Sequence, residues 1–318
     1  MASASAKPGL MLLIMENQQA INVLGNQNAP NITRLGQHHP VATQYFGAAH
    51  PSLPNYLTLW AGSTFGITDD GPPPAHRLTG ETLGSQLDAA GIPWAGYFES
   101  LAAGQDPTVD GGGKDVSNDA LYVVRHNPIV YFEGFNATRV KPFTTLLADL
   151  DSTTEPLPAF CLVIPNMADN MHDPVGSTAK DAVAVQTGDQ WVQGLVDGIV
   201  ASRWWQAGGV VLLLWDEAYD GSGHAVVGGI GTPPTTGGPV ILMLVSKTLT
   251  DVAHGTFGLG GDGNWDSPLT HAGLLRSIET YFGLTLLNDA ANASYGDISP
   301  VLRAVAEVFA PAGAGAGA

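Results

Sequence analysis

A serine held between two prolines, in the run His50-Pro51-Ser52-Leu53-Pro54-Asn55-Tyr56, is where residue type and spacing in this 318-residue chain first suggest chemistry. Each proline fixes its own φ and restricts the residue before it, so the Ser52 hydroxyl is held rather than mobile. A serine hydroxyl is a weak nucleophile until a base or a metal lowers its pKa. Asn55, three residues on, offers an amide able to steady an anionic oxygen. Carboxylates suited to the activating role occur twice. Glu16-Asn17 follows the apolar run Leu10–Met15, and Asp216-Glu217 follows the apolar run Val210–Trp215. Two consecutive acids after an all-apolar strand are costly to desolvate unless they are paired or bind a cation. Oxygen ligands of this kind suit a hard divalent ion, and the Asn17 amide can donate to an anion. After the run Phe160–Ile164, the stretch from Asn166 to Asp173 adds Asp169, His172 and Asp173 as donors. Each group alone has a plain structural alternative: a rigid turn at Ser52, a strand cap at Glu16-Asn17, a solvated loop at Asp216-Glu217, a capping Asp169 and a surface His172. His271, opening the stretch before Phe282, is a lone histidine and as such more often a capping or surface group.

What could bring these groups together is the order of elements. Short apolar runs at Leu10–Met15, Pro93–Tyr97, Phe160–Ile164, Val210–Trp215 and Val240–Val245 read as buried parallel strands. Between them, Ala75–Ala90, Thr144–Leu150, Asp189–Ala201 and Leu269–Phe282 carry helical spacing. Alternating strand and helix predict a three-layer α/β/α sandwich around a mostly parallel central sheet. In such sheets ligands bind outside the carboxyl ends of the strands, where the acidic groups fall. Long Gly/Pro-rich loops, including 72–74, 111–113, 228–238 and 256–263, punctuate the chain.

Composition narrows the classes. Hydrophobic residues make up 44% and charged residues 13%, as in a packed globular protein. Twelve Lys and Arg against 29 Asp and Glu give a net charge of −17, which would repel a nucleic acid. The single cysteine, Cys161, lies in an apolar run and forms no intrachain disulfide. No apolar run is long enough for an integral membrane segment. The expected organisation is a flexible lead over residues 1–8, one domain over 9–310 and a low-complexity, disordered tail over 311–318. Residues 1–8 lack the layout of a signal peptide, so a secreted or periplasmic protein would have had its signal removed or replaced by this Ala/Ser lead.

Glu16-Asn17, the Ser52 motif, Arg125-His126-Asn127-Pro128, Asp216-Glu217 and His271, in that order from about Leu10 to Leu284, resemble the bacterial phosphoesterase family. That family includes acid phosphatases and phospholipases C of the phosphatidylcholine type and belongs to the alkaline-phosphatase superfamily. Ser52-Leu53-Pro54-Asn55 is also similar to the threonine-Phe-Pro-Asn motif of the superfamily's nucleotide pyrophosphatases and phosphodiesterases. The resemblance implies an alkaline-phosphatase-like fold and a metal-dependent hydrolase of phosphate esters acting through a covalent phosphoserine on Ser52. It implies a divalent metal held by Glu16, Asn17, Ser52, Asp216 and Glu217, with Asn17, Asn55, His126 and Asp173 as substrate contacts and His172 and His271 in the catalysis. The chain departs from the superfamily where Asp216-Glu217 replaces an Asp-His pair, which favours a harder, oxygen-ligated ion. It departs also in the spacing of Asp169 and His172, so one metal site is expected rather than two. The implied substrate is a small phosphate ester or a phospholipid head group, for which Phe65, Phe132, Phe135 and Trp265 are apolar contacts or core. A phospholipase C-type phosphodiesterase is the nearest alternative, a phosphoserine-using transferase another, and a non-catalytic metal-containing binding module a more distant one.

Overall fold

The computed structural model describes residues 7–114, 118–152, 157–172, 178–220, 222–250 and 264–309. The expected tail at 311–318 and all but the end of the expected lead at 1–8 lie outside the described residues. A six-stranded sheet forms the centre, in the order Leu242–Val245, Val210–Trp215, Leu10–Met15, Phe160–Ile164, Trp94–Phe98 and Val140–Pro142. Every pairing is parallel except that of the edge strand Leu242–Val245, which runs antiparallel to Val210–Trp215. All residues of Leu10–Met15, Val210–Trp215, Phe160–Ile164 and Trp94–Phe98 are buried, the reason these strands carry no polar alternation. The register pairs Leu10 with Val210 and Met15 with Trp215, so Glu16 and Asp216 leave the sheet side by side at its carboxyl end.

Helices pack on this mostly parallel sheet, as the alternation of runs predicts. Pro30–His38 packs on Thr178–Ala201, and Asp189 of the latter accepts hydrogen bonds from the Asn31 and Ile32 N–H groups at the amino end of the former. The helix Ser52–Ala61 packs on His271–Phe282, which packs on Ser299–Phe309.

Five elements differ from the sequence expectation. The Ser52 motif is not a turn but the first turns of a ten-residue helix, every residue of which is buried. Pro51 precedes that helix and Gly62 ends it at φ 73°, where a Cβ would lie 2.3 Å from the Leu287 carbonyl oxygen. The helix expected over 75–90 is confined to Leu83–Ala89, because Thr82 and Ser85 form a capping box at its start. Helices Pro30–His38 and Ser299–Phe309 were not marked by the spacing. The run Val240–Val245 divides: Pro239–Val240 leaves the main sheet and pairs with Tyr45–Phe46, which pairs in turn with Leu269–Thr270. This small second sheet sets Tyr45 against His271.

Candidate active site

Ser52 opens its helix directly over the carboxyl ends of the two central strands. Its Oγ donates to Glu217 Oε1 at 2.9 Å and shares Glu16 Oε2 at 3.1 Å. Glu16 Oε1 accepts a short hydrogen bond from the Tyr56 hydroxyl, one helical turn after Ser52. His126 stacks on the Tyr56 ring at 5.0 Å between centroids, and its Nε2 lies 3.3 Å from Glu16 Oε1 without the alignment of a hydrogen bond. On the other side, Glu217 Oε2 accepts from His50 Nδ1. Asp216 Oδ1 accepts from the Asn17 N–H at 3.1 Å, with Asn17 in the left-handed region at φ 56° that suits asparagine. The serine hydroxyl is thus held between two carboxylates, Glu16 and Glu217, with Asp216 beside them, all three essentially without solvent exposure.

Burial drives the titration of these acids. Glu16 is pushed up to about 8, by desolvation first and then by the charge of Glu217, against the hydrogen bond from Tyr56. Asp216 is pushed well up by burial and by the charges of Glu16 and Glu217. Glu217 is raised by burial, with His50 opposing. Three like charges in so little solvent call for a cation or for protons. Two buried oxygens here, Asp216 Oδ2 and Asn17 Oδ1, have no hydrogen-bond partner. The donor set, all oxygen and mostly anionic, therefore fits a hard divalent ion. Among the described residues, however, no three His, Cys, Asp or Glu side chains already converge as a closed cage. The carboxylates point to separate donors, and a shared ligand would have to draw them together.

A stability prediction follows for protein stripped of divalent ions by a chelator. A carboxyl whose pKa is higher folded than unfolded binds more protons when folded, so its contribution is lost as pH rises through the folded value. Glu16 and Glu279, both pushed up to about 8 by burial, act in this sense. His172 and His271, both pushed down to about 4 by burial, act oppositely, adding stability between pH 4 and 6.5. Above pH 6.5 only the carboxyl effect remains. The Tm of the chelated protein is expected to fall between pH 6.5 and 8.5, and differential scanning calorimetry across that range checks it.

The structure gathers Glu16, Asn17, Ser52, His126, Asp216 and Glu217 at one place and gives the other expected residues different surroundings. Asn55 has both ends of its amide engaged by backbone: Oδ1 accepts from Ala48 N and Ala49 N at 2.7 and 3.1 Å, and Nδ2 donates to the Ala49 and Pro51 carbonyls at 2.9 and 3.1 Å. It shapes the approach to Ser52 instead of facing a ligand. His271 is fully buried, with Nε2 donating to the Asp216 carbonyl and Nδ1 accepting from the Tyr45 hydroxyl at 2.6 Å. It props the backbone under Asp216, and as a neutral imidazole near pH 7 it is no ready proton donor. His172 stands by His126 at 6.2 Å between ring centroids. Burial and the Arg125 charge lower both of these imidazoles, so neither is a standing cation at mildly acid pH. Asp169 shares a hydrogen bond with Glu99. Asp173 lies outside the described residues. Phe132 and Phe135 line a cavity of about 230 Å³ with Pro73, Pro74 and Tyr131, Phe65 packs edge-on against Phe132, and Trp265 packs on the core. Tyr56, His50 and Glu99 were not singled out, although Tyr56 lies four residues from Ser52 and His50 two before it.

The pattern of the phosphoesterase family matches residues 4–285. A phosphatidylinositol-3-phosphatase of Mycobacterium tuberculosis is 30% identical over 92% of this chain and 83% of its own. A phosphate-repressible acid phosphatase of Penicillium chrysogenum is 28% identical over 59% of this chain, and an acid phosphatase of Aspergillus fumigatus 25% identical over 81%. The chain spans about half the length of these two fungal relatives, 43% and 51%. Among solved structures, a member of the alkaline phosphatase superfamily from Vibrio parahaemolyticus superposes with a TM-score of 0.57 at 14% identity, over 91% of this chain and 71% of that one. The C-terminal periplasmic domain of EcEptC from Escherichia coli, in complex with Zn, gives 0.57 at 12% identity, over 93% and 87%. At these identities the likeness is one of fold.

Proposed function

The chain belongs to the phosphoesterase family and is a hydrolase acting on phosphoric ester bonds, and we propose that it cleaves phosphate monoesters with a divalent metal ion and a covalent phosphoserine on Ser52. The observation that carries this reading is the placement of Ser52 Oγ at the start of a buried helix, within hydrogen-bond distance of Glu16 and Glu217. A carboxylate made more basic by burial is a fitting acceptor for the serine proton, and burial raises both Glu16 and Glu217. Glu217, turned by His50 and bonded to Oγ, takes the proton as Oγ attacks phosphorus, the Oγ–P bond forms, the bond to the leaving oxygen breaks and that oxygen takes a proton from solvent. Water then attacks the phosphoserine and inorganic phosphate leaves, with Ser52 Oγ regaining its proton. Glu16, Asn17, Asp216 and Glu217, with Ser52 Oγ, would hold the divalent ion, which when bound supplies positive charge beside Oγ and the phosphoryl oxygens. The relatives named acid phosphatases and the one named a phosphatidylinositol-3-phosphatase support a substrate range from small monoesters to phosphorylated lipid head groups.

The test is an acid quench during turnover of p-nitrophenyl [32P]phosphate, followed by peptide mapping. Label is expected on the peptide holding Ser52, and none after chelation. Turnover with no label on any peptide under burst conditions would overturn the covalent route.

A further inference from the structure

Tyr56 follows Ser52 by four residues in the helix Ser52–Ala61, so the two side chains lie one above the other on the same face. That face meets the two oxygens of a single carboxylate. Ser52 Oγ reaches Glu16 Oε2 at 3.1 Å, and the Tyr56 hydroxyl donates to Glu16 Oε1. Among the described residues this is the only hydrogen bond of the Tyr56 hydroxyl. Tyr56 and Glu16 are both wholly buried. A phenylalanine would fill the same space with no hydroxyl to satisfy, so packing alone gives no reason for a tyrosine here. The ring is held as well as the hydroxyl. His126 stacks on it, with 5.0 Å between centroids and 13° between planes, from the short helix Val124–His126 that packs on the Ser52 helix. The start of the Ser52 helix is fixed in turn by Asp70 Oδ1, which accepts from the Leu53 N–H at 2.9 Å.

Counting hydrogens separates the parts played by the two hydroxyls. Ser52 has one hydroxyl hydrogen and two carboxylate acceptors, Glu217 Oε1 at 2.9 Å and Glu16 Oε2 at 3.1 Å. It serves both only by sharing, and Glu217 is the nearer. Once the Oγ–P bond forms, that hydrogen has left Oγ and Ser52 donates to neither. His126 Nε2 does not take its place, because it lies 3.3 Å from Glu16 Oε1 without a hydrogen bond. Among the described residues, the Tyr56 hydroxyl is therefore the one side-chain donor that Glu16 keeps before, during and after attack. By engaging Oε1 it leaves Oε2 as the oxygen turned to Ser52.

We propose that Tyr56 is a positioning residue for the reaction at Ser52, holding the Glu16 carboxylate in one orientation from the nucleophile's own helix so that Oε2 faces the reaction centre throughout turnover. The inference rests on the reading of Ser52 as the phosphate-attacking residue. A carboxylate freed at Oε1 turns about its side-chain torsions, and its productive approach to Oγ and to a bound ion has to be found again in each cycle. Ser52 and Tyr56 share one buried helix, so the placing of carboxylate against nucleophile is set within a single rigid element and not across a loop. A partner that touches the working carboxylate and not the substrate governs affinity or rate by about 10- to 100-fold.

The experiment compares wild type, Tyr56→Phe, Glu16→Asp, the double variant and Tyr281→Phe. Phenylalanine at 56 keeps the ring and its stack on His126 and removes only the hydroxyl. Aspartate at 16 is one methylene shorter and draws the carboxyl back from both hydroxyls of the helix. Tyr281→Phe removes a similarly buried hydroxyl, one that donates to the Pro8 carbonyl, and so controls for the loss of a buried hydrogen bond as such. Steady-state kinetics on p-nitrophenyl phosphate give kcat and KM, and calorimetric titration of the chelator-treated proteins with Mg²⁺, Mn²⁺, Ca²⁺ or Zn²⁺ gives the ion Kd. Tyr56→Phe is expected to lower kcat by about 10- to 100-fold with KM changed by less than about 3-fold, and to weaken ion binding by about 10-fold. Tyr281→Phe is expected to change neither, whatever its Tm. The double variant should be slower than Glu16→Asp by less than about 3-fold, because Tyr56 acts only through Glu16. A Tyr56→Phe kcat within about 3-fold of wild type, with unchanged ion affinity, makes Tyr56 a packing residue and overturns the proposal. So does a rise in KM at constant kcat, an equal loss of kcat in Tyr281→Phe, or a double variant in which the two single losses multiply. A wild type that binds no ion would fail the metal reading, and the kcat comparison would then decide on Tyr56. A Ser52 that proved not to be the nucleophile would show in the labelling experiment, while the ion titration would still report on the Tyr56–Glu16 bond.

Discussion

Ser52→Ala is expected to lower kcat/KM for p-nitrophenyl phosphate by about 10⁴-fold or more, with Tm changed by only a few degrees. The two halves of this expectation have separate causes. The chemistry has no substitute for Oγ: the neighbouring side chains that approach phosphorus from the same side are carboxylates already engaged by Tyr56, His50 and Asn17. The fold loses little, because Ser52 starts its helix by position and not by its side chain, and the helix is held by buried Leu53, Leu57 and Leu59. Complete burial of such side chains stabilises by roughly 1.5–3 kcal/mol each. Glu16 and Glu217 lose one donor apiece and keep Tyr56 and His50. Steady-state kinetics and calorimetry on the same preparation test both halves. Activity above about 10% of wild type would remove Ser52 from the role. A collapse of Tm would mean that lost activity says nothing about chemistry.

The central strands were legible because a strand buried on both faces must be apolar throughout, and Leu10–Met15, Phe160–Ile164 and Val210–Trp215 are. The acids that follow them were legible for the complementary reason: a charge directly beyond such a strand needs a partner. The helix Ser52–Ala61 was hidden by the same total burial, since a helix with no exposed face shows no 3.6-residue alternation, and its two prolines resembled a turn. Proline is in fact compatible with a helix's first turn, where its missing N–H costs no bond. Asn55 and His271 show a different limit. Residue type indicates that an amide or an imidazole can meet a ligand, but not whether the backbone has already engaged both ends, as Ala48, Ala49, Pro51 and Asp216 do here. Asp70 reaches Leu53 from seventeen residues away through a loop without regular structure, so no spacing rule could have joined them.

Asp216→Asn is expected to act in opposite directions on the metal-free and metal-loaded protein. In wild type at pH 8 without divalent ions, Asp216 is buried against Glu16 and Glu217, and their mutual repulsion opposes folding. Asparagine keeps an oxygen for the Asn17 N–H and removes one of the three charges, so the chelated variant should have the higher Tm at pH 8. At pH 5, where Glu16, pushed up to about 8 by burial, is largely protonated, the difference should shrink, which separates it from a packing effect. Adding a divalent ion reverses the order. An ion that binds only the folded state stabilises wild type by about 2.7 kcal/mol when present at 100 times its Kd. That corresponds to a Tm rise of roughly 4 °C for a chain of this size. The variant lacks one anionic ligand, so its rise should be much smaller, and its turnover at equal metal concentration should fall by about 10³-fold or more. Calorimetry with and without Mg²⁺, Mn²⁺, Ca²⁺ or Zn²⁺ reads this without reference to activity. Should chelated Asp216→Asn be less stable than wild type at pH 8 while both proteins gain equally from added ion, Asp216 is not a ligand. Its raised pKa would then record burial alone, and the proton taken from Ser52 would have to be managed by the carboxyls themselves.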